Sequence, residues 1–186
     1  SGTADFGVRD FGLHFNAEAP RLDAATATAV LKAFLLLEDW LRIAVLERRS
    51  RYLPGMPPPF PPAYVRKVVA PDYRPEMPEL IGDYLASNAT RKRSLDLLPL
   101  FMLLDEARIR AALPWEKIRK RPVFHYRLPL ARIERPNWSV APDWNRWVAV
   151  ERLAADAERL ERLGTDYLAF TGTPVDWAAR VAPSVP

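Results

Sequence analysis

Cysteine is absent from the 186-residue chain, which excludes disulfides and thiolate chemistry. Glycine is nearly as scarce, with 7 residues, and neither GxGxxG nor GxxxxGK[ST] occurs. The two familiar loop cradles for phosphate are therefore unavailable. A Gly-x-Ser-x-Gly elbow is missing too, which argues against an α/β-hydrolase. The 2 histidines are too few for a three-histidine zinc site, and there is no HExxH. Apolar runs of membrane-spanning length are lacking, as is a charged-then-apolar leader. The expected location is the cytoplasm, with no membrane partner.

Charge of one sign is also in short supply. Against 27 Lys and Arg stand 23 Asp and Glu, a net charge of +4. Lys32, Lys67, Lys92, Lys117 and Lys120 are the only lysines, so arginine carries most of the positive charge. Nucleic acid calls for a larger surplus and for aromatics interleaved with the basic residues. The tryptophans fall mainly at helical core positions, and no nucleic-acid partner is expected. Hydrophobic residues make up 49% and charged residues 27%, which suits one ordinary domain spanning 1–186, or one large part of a bigger one. Proline is abundant at 19, dispersed as punctuation between helical patterns.

Taken in order, FGLHFNAE at 11–18 alternates as a strand would, with Leu13 and Phe15 on one face and His14, Asn16 and Glu18 on the other. A long helix follows. Asp23 is its N-cap candidate, Leu22 can form a hydrophobic staple, and a wide apolar stripe runs from Val30 to Val45. Glu38 and Arg42 stand four apart in the favourable order. The helix gives way to the basic ERRSR at 47–51. PGMPPPFPP at 54–62 fits a stiff connector better than a ligand for an SH3-type partner. Short helices or turns are expected at 63–69 and 78–87, a short helix at 105–113, and a second long helix at roughly 142–163, stopped by Gly164. One turn of helix is expected around Trp177. Strands mixed with helices in this order give an α+β fold, yet two strands make no stable sheet alone.

RPVFHYRLP at 121–129 concentrates the chemistry. Counting by twos puts Phe124, Tyr126 and Leu128 on an apolar face, and Val123, His125 and Arg127 on a polar one. Two basic clusters, Arg91–Lys92–Arg93 and KIRKR at 117–121, are solvated surface or clamps for phosphate. His14, Glu18 and His125 could together hold a metal for hydrolysis if their strands are neighbours.

SLDLLPLF (94–101), RPVFHYRLP (121–129), NWSV (137–140) and WNRWVAVERLAAD (144–156), in that order and spacing, resemble the C-terminal half of the bacterial amidoligase family. GLHFNAE with its long helix is similar to the middle of the same family. The resemblance covers about 11–170 and implies carboxylate–amine ligases akin to glutamine synthetase and glutamate–cysteine ligase. It implies part of an antiparallel sheet with long helices on one face, and ATP and Mg2+ on the other. Small-molecule or peptide carboxylates and amines would be the substrates, joined through an acyl phosphate. Arg127 matches the arginine of the family's late strand, where Glu-Phe-Arg is common; here His125 replaces the glutamate, and both are expected to be catalytic. His14, Asn16, Arg91, Arg93 and Asp96 are expected to bind the cofactor, with His14 and Glu18 at the metal. The family's first strands, bearing acidic magnesium ligands, have no counterpart, so the chain is expected to be incomplete and a weak catalyst by itself. The competing reading is a non-enzymatic helical module that binds a partner through its proline-rich and basic segments.

Overall fold

The computed structural model describes residues 11–46 and 56–182. ERRSR and residues 54–55 of the connector lie outside the described residues. β1 (Phe11–Gly12) and β2 (Phe15–Glu18) lead into α1 (Ala24–Leu46), and α2 (Pro62–Val69) and α3 (Met77–Asn88) precede β3 (Leu95–Asp96). α4 (Leu98–Leu104) and α5 (Glu106–Ala112) separate it from β4 (Val123–Tyr126) and β5 (Leu130–Ala131). α6 (Ala141–Ala155), α7 (Ala157–Ala169) and α8 (Pro174–Val181) complete the chain. The fold is α+β, as expected, with antiparallel strands and helices against one face.

α1 organises the packing. Asp23 accepts a hydrogen bond from the Thr26 amide at 2.7 Å, the cap the sequence suggests. Leu22 makes no staple and stays exposed, because the residue four past the cap is the short Ala27. α1 is buried nearly all round and touches α2, α3, α6, α7 and α8. Its Glu38–Arg42 pair is interior rather than superficial. Arg42 donates from Nη2 to Glu38 Oε1 at 2.7 Å, and Ser94 Oγ donates to the same oxygen at 2.6 Å. This ties the helix to the residue just before β3.

The strand shortage is resolved by β3, which lies inside a stretch whose apolar run hides its alternation. β4 is central, with β2 on one side and β3 on the other, while β1 pairs separately with β5. Phe15, Tyr126 and Leu95 share one row across the sheet; Asn16, His125 and Asp96 share the next. The first row is buried, with Tyr126 against Phe34 of α1 and Trp147 of α6. Period-two alternation therefore turns the second row outward.

Three expectations at the C-terminal end are corrected. The helix expected over 142–163 is two helices, since Asp156 leaves helical geometry (φ −102°, ψ 85°) and caps α7 by accepting from the Arg159 amide. Gly164 does not stop α7 but lies inside it, where a Cβ would run into the Val69 carbonyl oxygen of α2. The glycine thus permits a close helix crossing. Around Trp177 the chain makes a full helix, started by a Thr173–Asp176 capping box and anchored by Trp177 Nε1 donating to Leu36 O at 2.8 Å. The described part of the proline-rich connector is packed in place through buried Met56 and Phe60. No helix among the described residues is long and apolar enough to cross a membrane.

Candidate functional site

The polar face of the three-stranded sheet gathers most of the expected residues. Asp96 is its centre and is fully buried. One carboxylate oxygen accepts from the Leu98 amide at 3.0 Å, which holds the start of α4. The other accepts from Arg127 Nη2 at 2.7 Å, with Arg91 Nε 4.0 Å away and His125 Nδ1 3.7 Å away. Two guanidinium groups thus face one carboxylate, and a positive charge is left over. The Nε atoms of Arg91 and Arg127 are buried and find no hydrogen-bond acceptor among the described residues. Unused donors beside surplus positive charge suit an anionic oxygen.

The histidines meet here because β2 and β4 are neighbours. Their rings stand 5.0 Å apart, edge to face. The His14 pKa is lowered by partial burial first, then by Arg127 and by His125, with Asp96 opposing. His14 is therefore kept as a neutral imidazole on the rim. Asn16, exposed on β2 and opposite His125, completes the row.

Two expected residues are placed elsewhere. Arg93 donates from Nη1 to Pro59 O at 2.7 Å and from Nη2 to Ser87 O at 3.3 Å, with its guanidinium over the Phe60 ring. It fastens the connector. Glu18 lies on the same face as Asn16 but at the far end of β2, four residues and about 13 Å along the strand from His14. The two do not converge, and among the described residues no group of three or more His, Asp or Glu could hold a metal ion. A cavity of about 1070 Å³ opens beyond that end, beside the first turns of α1, and shares only Glu18 with the site residues.

One contributor is absent from the sequence-derived set. The Lys117 carbonyl accepts from Arg91 Nη1 at 2.8 Å, so the loop after α5 forms one lip of the face. A backbone carbonyl leaves no mark in a sequence; the nearest signal is the KIRKR cluster around it.

The polar face of this antiparallel sheet therefore brings paired guanidinium groups around a buried carboxylate, with donor capacity left over. A family model described as "putative amidoligase enzyme" matches residues 6–149, well over half of the chain. The chain belongs to this amidoligase family, a family of ligases. No curated protein and no solved structure matches it significantly.

Proposed function

We propose that the chain is an ATP-dependent carboxylate–amine ligase acting through an acyl phosphate. The observation that carries this reading is the Asp96–Arg127 pair with Arg91 and His125 around it. ATP would supply the phosphoryl group that makes a carboxylate reactive toward an amine. Arg127 commits Nη2 to Asp96, which fixes the plane of its guanidinium, and keeps Nε for an anionic oxygen. Arg91 adds a second positive charge within reach of the same place. Preorganised cations of this kind favour charge that builds up on phosphoryl oxygens. His125 stands between Asp96 and His14, and Asn16 offers an amide in the same row. His14, held neutral, is suited to take the proton an ammonium nucleophile must lose.

Magnesium fits this donor set poorly. Mg2+ selects oxygen ligands; among the described residues the carboxylate at the centre of this face, Asp96, is already engaged by Arg127, and Glu18 lies apart at the far end of β2. The test is direct. Wild-type protein should bind ATP and, with hydroxylamine as the amine and a pool of carboxylates, release ADP and form hydroxamate. Arg127→Ala should lose both. ATP affinity unchanged in Arg127→Ala would overturn the reading.

A further inference from the structure

The loop between α5 and β4 carries a feature the catalytic reading leaves unused. Trp115 is 93% exposed, the most open of the large hydrophobic side chains among the described residues. The loop around it is nevertheless fastened. Ile118 is buried, the Arg121 amide donates to Pro99 O at 3.1 Å, and Arg91 holds the Lys117 carbonyl. Lys117, Arg119 and Arg121 project from it into solvent, and among the described residues none of their side chains meets a carboxylate. Lys120 alone is neutralised, by Glu106 at 2.6 Å. A fixed loop thus presents one aromatic face and three free cations. It borders the anion site through the two ends of a single arginine, Arg91.

We propose that this lip is the docking surface for an acidic polypeptide segment, the carrier of the carboxylate that the adjoining face activates. The identity of the carrier rests on the ligase reading; the binding itself does not. Charge complementarity selects an anionic partner, because the free cations along this short lip are matched only by Glu116 beside them. A rigid indole offers a large contact at low entropic cost, and its face takes the backbone or stem of an extended peptide. Nucleic acid is disfavoured, since successive bases need several stacking platforms along a basic track, and the lip has one. The net charge of +4 on the whole chain supplies no wider basic field.

Titration of the full chain with an oligo-glutamate peptide, read by tryptophan emission, tests this. A shift that weakens with added salt is expected, and it should vanish in Trp115→Phe. The double variant Lys117→Ser with Arg119→Ser should bind about tenfold more weakly. These side chains are exposed, so the variants keep their fold, and unchanged melting temperatures verify it. The peptide titration is run on the wild-type chain without ATP, so failure of the phosphoryl seat and failure of the lip are read separately. Absence of binding, or tighter binding of oligo-thymidylate of equal charge, overturns the proposal.

Discussion

Asp96→Asn is the sharpest structural perturbation this fold offers. The substitution keeps the size of the side chain and the acceptor for the Leu98 amide, and removes only the negative charge. Arg127 is then left largely buried beside Arg91 with nothing to balance it. Breaking a buried ion pair from one side costs about 3–5 kcal/mol. Retention of the Leu98 hydrogen bond places this case near the lower end, about 3 kcal/mol. In a chain of this length each kcal/mol moves the melting temperature by about 2–4 °C, so a fall of about 6–12 °C is expected. Differential scanning calorimetry and urea melts measure it. Adding Arg127→Met removes the stranded charge and should restore most of the loss, since a buried pair replaced by apolar groups of similar volume is often neutral. A single variant melting within about 2 °C of wild type would refute the reasoning, as would a double variant no more stable than the single one.

Two further perturbations follow from the same geometry. The NMR titration midpoint of His14 should lie below 6.5, and Arg127→Ala should move it upward by removing one of the positive charges that depress it. A histidine that resists protonation when folded stabilises the fold above its unfolded pKa, and that contribution disappears as pH falls from 6.5 through the lower folded value; a wild-type midpoint at or above 6.5 contradicts this. Gly164→Ala should push α2 and α7 apart where the new methyl meets the Val69 carbonyl, costing about 1–3 kcal/mol in a chemical melt; a neutral result would show that the crossing has room.

Much of the site was legible in the sequence because β4 obeys a simple rule. Strict alternation in VFHYRL separates Phe124 and Tyr126 from His125 and Arg127 whatever the rest of the chain does. The N-cap of α1 was readable for a similar reason, since a cap is a local event. β3 was not, because two residues carry too little pattern to stand out beside LDLLPLF. The fates of Arg91 and Arg93 could not be told apart either. They are two residues apart and chemically identical, yet one reaches Asp96 and the other Pro59. Gly164 misled for a physical reason: a helix-ending glycine and a helix-crossing glycine read the same until the partner helix is in place.

The central claim is that Arg127 holds a phosphoryl oxygen while Asp96 holds Arg127. The Nε–H resonance of Arg127, assigned by its loss in Arg127→Lys, reports on that contact in the intact chain. On addition of ATP the account predicts that this resonance moves with the binding curve. ATP binding that leaves it unmoved, or no ATP binding at all, would contradict the account.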